Sequence, residues 1–374
     1  MTTAVLSDLH VGGSAQPALA EHPAVLATLA DRIAGADHVV LLGDVVELRD
    51  RPLAAAVSAA EPLFRMLGDA VRPQRVTIVP GNHDHQLAGP LLEARRLEGP
   101  EGALAVDRSM PAPATGPLGR FAGWLGGAEL VLAYPGTWIR DDVFATHGHY
   151  LDCHNTVPTL ERLGVAVTER AIGGLPPGSR TADDYEAAVG PLYSLSFSLA
   201  QATGRAGRRR PSGPAAGLAA GGASIAVWRQ VSGANGRRTL AGRALSGVVI
   251  PGAVAVLNRA GLGPLSADLS GAELRRAALR GMVEALARLD VDPPHALFGH
   301  THRSGPWAED DGSEWGLRGG GRLVNVGSWV WQPTLVGERG ADSPYWPGTC
   351  AIVEDEGPPR LERLLEALPA GVSA

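Results

Sequence analysis

Five short apolar runs in this chain each end in side chains that can bind a metal ion or exchange a proton. The runs at 4–6, 39–42, 76–79, 143–146 and 296–298 have the length and composition of buried strands. Carboxylate, amide or imidazole groups follow each run; they are Asp8, His10, Asp44, Asn82, His83, Asp84, His147, His300 and His302. Ligands bind at the carboxyl ends of strands in open α/β sheets. The sequence therefore predicts a metal site where these five strand ends meet.

The first part of the chain alternates between strand and helix patterns. A strand at 4–7 is followed by helical spacing at 22–35, a strand at 38–42, helical spacing at 53–70 and a strand at 75–79. This β-α-β-α-β order indicates a mainly parallel sheet with crossover helices, that is, an α/β fold.

Further elements are expected along the rest of the chain. Residues 99–123 are rich in Gly and Pro and are predicted to form a loop. A strong helix begins at the capping box of Ser270 and Glu273. An amphipathic tail runs to Ala374. The remaining predicted strands are 128–133, 142–146, 296–299, 322–327 and 349–354.

Residues 187–267 differ from the rest of the chain in charge. They hold nine arginines and neither Asp nor Glu, so this span is +9 and the remainder is −15 of the net −6. Its apolar runs are broken by Gly and Pro, and none reaches the ~18–20 residues of a membrane span. We expect a mainly helical, Arg-rich insert at about 156–268 that interrupts a single domain spanning 1–374.

The charge of the insert indicates an anionic partner. Three interpretations remain open: a lid that holds phosphate groups of a substrate, a face for anionic lipid, and a flexible surface loop. The two cysteines, Cys153 and Cys350, are too few for a disulfide framework, and we expect no secretory signal before the first strand. We expect a cytoplasmic protein whose insert can contact the inner face of the membrane. A phosphorylated small molecule or lipid is the expected substrate, ahead of nucleic acid.

Each motif taken alone has an ordinary structural explanation. An Asp-x-His pair is common, Gly-Asp often marks a turn, and a single buried histidine is usually a satisfied core residue. His149, Asp152, Cys153 and His154 either support a nearby ligand or form a solvated turn with a buried thiol. Because five such strand ends occur together, in this order, the set indicates a metal site more strongly than any member does.

The set resembles the calcineurin-like metallophosphoesterases in order and spacing. The resemblance covers residues 1–150 and about 285–355, and leaves out the Arg-rich insert. It implies a four-layer α/β/β/α sandwich with a dinuclear metal centre where the strand ends converge. One ion would be held by Asp8, His10, Asp44 and His302. The other would be held by Asp44, Asn82, His147 and His300, with Asp44 bridging.

This resemblance implies a metal-dependent hydrolase of phosphoesters, most simply of a phosphodiester or a pyrophosphate. A water molecule shared by two ions loses a proton near neutral pH and becomes the nucleophile. His83 would stabilise charge or protonate the leaving oxygen, and Asp84 would orient its imidazole or cap the following turn. The mixed donor set favours Mn, Fe, Co or Zn over Mg, and Mn is favoured among them.

The substrate is less constrained than the metal chemistry. The plan is similar to the lipid-A-pathway pyrophosphohydrolases, but those typically have Asn-Arg-Asp where this chain has Asn82, His83 and Asp84. Cyclic-nucleotide and nucleic-acid phosphodiesterases, and a phosphomonoesterase, remain open. The alternative from another class is a metal-free scaffold that uses the same fold to bind a protein; the metal content of the purified chain would separate the two.

Overall fold

Ten strands form a curled sheet in the computed structural model, which describes residues 1–14, 18–70, 75–99, 102–178, 180–203 and 250–372. The order along the sheet is β10-β9-β1-β2-β3-β5-β6-β7-β8, and β4 pairs with β5. The strands are β1 Thr3–Leu6, β2 His38–Leu42, β3 Arg75–Val79, β4 Asp107–Pro111, β5 Glu129–Arg140, β6 Val143–Thr146, β7 His295–Phe298, β8 Arg322–Asn325, β9 Thr349–Val353 and β10 Arg360–Arg363.

Strand β5 joins the two halves of the curled sheet, which we call the first sheet and the second sheet. Its first half pairs in parallel with β3, and its second half pairs antiparallel with β6. The first sheet contains the parallel strands β1, β2 and β3, as the sequence predicts, and the second contains β6, β7 and β8, also parallel. The chain therefore turns from one sheet into the other without leaving β5.

Alternate residues of the strands separate three layers of the core. Val5 and Val40 of the first sheet lie in one cluster with Ala145 and Leu297 of the second, so the two sheets face each other. The neighbouring side chains, such as Leu41, point to the opposite side of the first sheet and pack against helices.

The second sheet is covered in the same way. Phe144 and Phe298 pack with Met282 and Leu286 of a long helix on its outer face. The arrangement is the predicted α/β/β/α sandwich. The helices are α1 Pro23–Ile33, α2 Leu53–Ala59, α3 Glu61–Ala70, α4 Gly89–Leu97, α5 Gly116–Trp124, α6 Leu160–Ala171, α7 Ala182–Thr203, α8 Ile250–Arg259, α9 Gly271–Arg288 and α10 Pro333–Val336.

Several element predictions need correction. The predicted loop at 99–123 contains β4 and α5, and the tail contains β10, which pairs with β9. The helical pattern at 53–70 forms two helices that meet at Ala60, because Pro62 has no N–H to continue the hydrogen-bond ladder. Ser270 caps α9 as predicted: its hydroxyl accepts from the N–H of Glu273 at 3.2 Å.

The described parts of the insert are helical. They are α6, α7 and α8, and α6 and α7 pack against each other. Arg205, Arg208, Arg209, Arg210, Arg229, Arg237, Arg238 and Arg243, and with them the apolar run at 224–228, lie outside the described residues. Among the helices that are described, each is too short or too polar to cross a lipid bilayer.

Candidate metal centre

The seven predicted metal ligands meet at the carboxyl ends of the strands, between the two sheets. Six described residues other than glycine have a positive φ, and five of them are predicted ligands: Asp8 (55°), His10 (47°), Asp44 (51°), His300 (67°) and His302 (59°). L-residues rarely adopt this left-handed conformation, and it persists only where surrounding contacts enforce it. The chain turns sharply after each strand and brings these side chains inward.

The first predicted group surrounds Asp8. Its Oδ1 lies 3.3 Å from Nε2 of His302 and 3.9 Å from Nε2 of His10. Nε2 of His10 is in turn 3.2 Å from Nε2 of His302 and 3.6 Å from Oδ2 of Asp44. These four side chains, all buried or nearly so, are those predicted for one ion.

The second predicted group surrounds Asn82. Its Oδ1 lies 3.1 Å from Nε2 of His147 and 3.0 Å from Nδ1 of His300. Nε2 of His147 is 3.3 Å from Oδ2 of Asp44, the same oxygen that approaches His10. Asp44 thus lies between the two groups, where a bridging carboxylate is required.

Each of the four histidines is turned by a hydrogen bond at its outer nitrogen. Nδ1 of His10 faces Glu47 at 3.1 Å, and Nδ1 of His147 faces the carbonyl of Leu42 at 3.0 Å. The outer nitrogens of His300 and His302 face the oxygens of Asp152 (3.0 Å) and Gln332 (3.1 Å). A histidine that donates at one nitrogen has a lone pair at the other, so all four present lone pairs to the centre.

The ligand atoms are arranged to bind a cation rather than to form hydrogen bonds with one another. Oδ1 of Asp8 is fully buried and accepts no hydrogen bond, whereas Oδ2 accepts from the hydroxyl of Ser7 at 2.6 Å and from the N–H of His300 at 3.0 Å. A buried carboxylate oxygen without a partner is costly. A cation between Asp8 and the two nearby imidazoles would satisfy it.

The amide of Asn82 has the same property. As placed, its oxygen faces lone pairs on His147 and His300, an arrangement that a shared cation favours. With the amide rotated, its NH2 would donate to these nitrogens and its oxygen would accept from Arg49 at 2.8 Å. The first orientation suits a metal-bound centre, and the second suits a centre held by hydrogen bonds alone.

Glycines beside the ligands leave no room for a side chain. A Cβ on Gly81 would lie 2.3 Å from Oδ1 of Asp44, and one on Gly43 would lie 2.2 Å from Nδ1 of His147. A Cβ on Gly299 would lie 2.4 Å from Oδ2 of Asp8. These three glycines therefore let the backbone approach the ligands closely.

Comparison with known proteins gives one family match. Residues 1–172 match the family model described as calcineurin-like phosphoesterase. The resemblance predicted from the motifs is confirmed, although His300 and His302 lie beyond the matched residues. No curated protein matches the chain. A dimetal phosphatase from Danio rerio is similar at 13% identity, over 94% of this chain and 95% of that one, with a TM-score of 0.33, too low to support an argument.

The calcineurin-like phosphoesterase family implies metal-dependent hydrolysis of a phosphoester at a dinuclear divalent centre. Three groups of His and Asp able to hold a cation are present among the described residues of this centre, and any two of them have one residue in common. The groups are Asp8, His10 and His302, then His10, Asp44 and His83, then Asp8, Asp44 and His147.

Glu47 is a residue of the centre that sequence reasoning missed. Its Oε2 lies 3.1 Å from Nδ1 of His10 and 2.6 Å from Nδ1 of His83. It is buried, and although burial opposes its charge, His83 and His10 hold its pKa below the usual range. A carboxylate three residues after Asp44 in an otherwise apolar stretch was the available signal.

The side chain of Asp84 binds backbone groups of two loops. Its carboxylate accepts hydrogen bonds from the backbone N–H groups of Gly81 (2.6 Å), Asp44 (3.2 Å), Val45 (2.7 Å) and Val46 (3.4 Å). It joins the loop after β3 to the loop after β2. The contact with the imidazole of His83 is made by Glu47. Burial and the nearby charge of Asp44 raise the pKa of Asp84 to about 6.

The charges of the metal-free centre are strongly coupled. Burial acts to lower the pKa of His147, but Asp44 outweighs it and raises this pKa to about 9. Burial acts in the opposite sense on Asp44, where His147 and His83 nevertheless hold the pKa well below the usual range. Without metal, Asp44 therefore stays charged, and His147 holds a proton that must leave before its lone pair can bind an ion.

A helix of the insert supports the centre from behind. Glu186 of α7 accepts hydrogen bonds from Tyr134 (2.5 Å) and Tyr150 (2.8 Å) and lies 2.8 Å from Nε2 of His85. His85 follows Asp84 directly, and Tyr150 lies three residues after His147. One carboxylate of the insert thus holds together the two loops that supply Asn82 and His147. Of the other residues near His147, Asp152 contacts His300, and Cys153 is a buried free thiol.

Proposed function

We propose that the chain is a phosphoesterase that uses two divalent metal ions, held as predicted by seven residues, to hydrolyse a phosphodiester or a pyrophosphate. One observation carries the proposal: two groups of inward-facing lone pairs share Asp44, and each histidine in them is turned by a hydrogen bond at its outer nitrogen. A single structural cation would need only one such group.

The residues of the chain divide the work of the reaction. When bound, the two ions supply positive charge to the phosphoryl oxygens and lower the pKa of a water molecule between them. Asp8, Asp44 and Asn82 orient the centre through buried oxygens. In the hydrolysis, water attacks phosphorus, the bond to the leaving oxygen breaks, and that oxygen takes up a proton.

His83 is placed to give this proton. Its Nδ1 is held by Glu47 at 2.6 Å, which leaves Nε2 for the substrate, and the ring lines the cleft beside the centre. His83 also donates its backbone N–H to Oδ1 of Asp44 at 2.7 Å, so the acid and the shared ligand keep a fixed separation. Mn, Fe, Co and Zn suit the mixture of imidazole, carboxylate and amide, and we expect Mn.

Hydrolysis of bis-p-nitrophenyl phosphate and p-nitrophenyl phosphate, measured side by side with Mn²⁺ and with chelator, tests the proposal. We expect chelator-sensitive cleavage of the diester, two ions per chain, and loss of both in Asp44→Ala and His147→Ala. His295→Ala is the matched control, because His295 begins the strand that ends before His300. Cleavage of the monoester alone would favour a phosphomonoesterase. Absence of cleavage together with absence of bound metal would favour the scaffold.

The Arg-rich span is proposed to contact an anionic surface, on the evidence of its charge in the sequence. Each Arg near such a surface contributes about 1 kcal/mol. Flotation with vesicles of anionic and of zwitterionic phospholipid, at low and at high salt, tests this. Equal binding to both, or binding unaffected by salt, contradicts it.

A further inference from the structure

A cleft of about 260 Å³ opens beside the candidate metal centre. Part of its lining is formed by residues of the centre; they are Asp44, Asn82, His83, His300 and His302. Small-molecule sites begin near ~300 Å³, so the cleft has room for a small substrate. The rest of the lining decides which substituent of a phosphoester the cleft can accept.

The rest of the lining is mixed: it contains polar residues such as Asp152, Asn155 and Glu161, and a larger apolar part. We call this apolar part the apolar arm; it consists of Leu274, Ala278, Leu279, Phe298, Trp315 and Tyr345. Leu274 and Ala278 lie one turn apart on α9 and present one face of that helix to the cleft. Phe298 ends β7, two residues before His300, so the apolar arm is continuous with the metal centre.

The positive charges beside the apolar arm are already paired. Arg275 donates two hydrogen bonds to Glu314, at 2.9 and 2.6 Å. Arg303 pairs with Asp310 and lies over the ring of Trp315, 5.3 Å from its centre. Among the described residues, the arginines that line the cleft are therefore committed to carboxylates, and a second phosphate at this end would have to break a buried or half-buried ion pair.

We propose that the apolar arm binds an apolar alkyl or aryl substituent of the phosphoester while its phosphorus lies at the metal centre. This inference rests on the proposed function and specifies its substrate class. Removing a methylene group from water favours binding by an amount that corresponds to about two- to fourfold in affinity. The enzyme should therefore prefer esters with a short apolar chain over methyl esters.

The test uses alkyl p-nitrophenyl phosphate diesters with methyl, butyl and hexyl groups. Because all three release the same p-nitrophenolate, the metal chemistry is constant and only the apolar substituent changes. We expect kcat/KM of the Mn²⁺-loaded protein to rise by about tenfold or more from methyl to butyl, mainly through KM, and to level off once the arm is filled.

Two variants locate the effect. Leu274→Asp places a charge in the arm and should abolish the gain from methyl to butyl; Leu335→Ser, at the edge of the same cleft, should reduce it. Ala272→Asp is the matched control, because Ala272 is exposed near the start of the same helix. Thermal unfolding of each variant checks that it is folded.

The outcomes separate the two levels of the proposal. Equal kcat/KM for all three esters, or a gain that survives in Leu274→Asp, overturns the apolar arm and leaves the metal centre standing. Cleavage of none of them by protein that contains two ions overturns the phosphodiester form of the proposed function and the arm with it.

Discussion

At the scale of single residues, the centre depends on backbone conformations that L-residues rarely adopt. Asp8, His10, Asp44, His300 and His302 all have φ between 47° and 67°. A left-handed conformation costs about 1–2 kcal/mol for an L-residue. These conformations persist because buried groups hold the loops in place. Asp84, for example, accepts four backbone hydrogen bonds.

Glu47 should control the affinity of the centre for metal. Glu47→Gln removes the charge that holds the outer nitrogens of His10 and His83, and we expect metal binding to weaken by about 10- to 100-fold. Calorimetric titration with Mn²⁺ measures this. Glu362→Gln is the control, since Glu362 lies on the edge strand β10 and pairs with Arg32 of α1. Equal affinities of the two variants would show that Glu47 does not act through the histidines.

Gly81 should tolerate no side chain. In Gly81→Ala the new Cβ would lie 2.3 Å from Oδ1 of Asp44 and 2.7 Å from the ring of His147. We expect a loss of unfolding free energy of about 1–3 kcal/mol and loss of bound metal. Gly123→Ala, in the exposed face of α5 with nothing within 4 Å, should be neutral or stabilising by up to ~1 kcal/mol. Denaturant unfolding of both proteins compares them directly.

Metal binding should depend steeply on pH. In the metal-free chain the pKa of His147 is raised to about 9, so a proton must leave before its Nε2 can bind an ion. Apparent affinity should fall about tenfold per pH unit below pH 9 for each proton displaced. Calorimetry in two buffers of different ionisation enthalpy counts these protons.

The stability of the metal-free chain should move in the opposite direction. A raised pKa means that the folded state binds the proton more tightly than the unfolded state does. The contribution of His147 is therefore fully present below pH ~6.5, its unfolded pKa, and is lost as the pH rises through about 9. Unfolding in the presence of chelator at pH 6 and pH 9 shows it; a stability difference between wild type and His147→Ala that is as large at pH 9 as at pH 6 would contradict it.

At the scale of elements, α7 joins the insert to the centre. Asp183 at its start binds Arg95 and the N–H of Leu104, and Glu186 one turn later binds His85, Tyr134 and Tyr150. This helix of the insert, which lies between β6 and β7 in the chain, thereby shares hydrogen bonds with the core. At least this part of the insert is built into the fold.

Removing the Glu186 carboxylate should destabilise the chain. Glu186→Ala leaves His85 and two buried tyrosine hydroxyls without their acceptor, and we expect a loss of about 2–4 kcal/mol of unfolding free energy. Glu186→Gln, which keeps an acceptor oxygen, should lose less. Glu93→Ala, an exposed carboxylate on α4, serves as control. Equal stability of Glu186→Ala and the control would show that the hydrogen bonds of this carboxylate contribute nothing net.

The elements that sequence reasoning missed have identifiable causes. Gly-Pro pairs begin both α4 and α5, and Pro at the first turn is compatible with a helix even though such pairs usually indicate loops. Strand β4 is short and partly exposed, and its pairing with β5 is a tertiary contact that no local pattern contains. The buried strands and their terminal motifs were predictable because apolar runs of that length have few other uses.

The site was predictable to a similar extent. The side chains named from the motifs are brought together, because each directly follows a strand. Glu47 and Glu186 were not found, since the first lies in an irregular loop and the second reaches the centre only through the packing of α7. Asp84 was found, but its four backbone hydrogen bonds depend on the approach of a second loop.

At the scale of the whole molecule, the predicted ligands come from both sheets. Asp8, His10, Asp44 and Asn82 follow strands of the first sheet, whereas His147, His300 and His302 follow strands of the second. Each predicted ion would take ligands from both. Bound metal should therefore resist separation of the two sheets.

Removing metal should lower the melting temperature. A ligand at 100 times its dissociation constant stabilises the folded state by about 2.7 kcal/mol per site, so chelation should lower Tm by several degrees. Differential scanning calorimetry with and without chelator measures the shift. Asp44→Ala should show little or no shift, and a chelator effect of equal size in that variant would place the stabilising ion elsewhere.

The division of ligands between the sheets has a consequence for biosynthesis. The ligands up to Asn82 emerge from the ribosome early, while His300 and His302 follow after more than two hundred further residues, roughly tens of seconds later at ~5–20 residues per second. Until then neither predicted ion has its full set of donors, and Asp8 and Asp44 lack their partners from the second sheet. Binding of both ions during synthesis would therefore require that the chain has been made past His302.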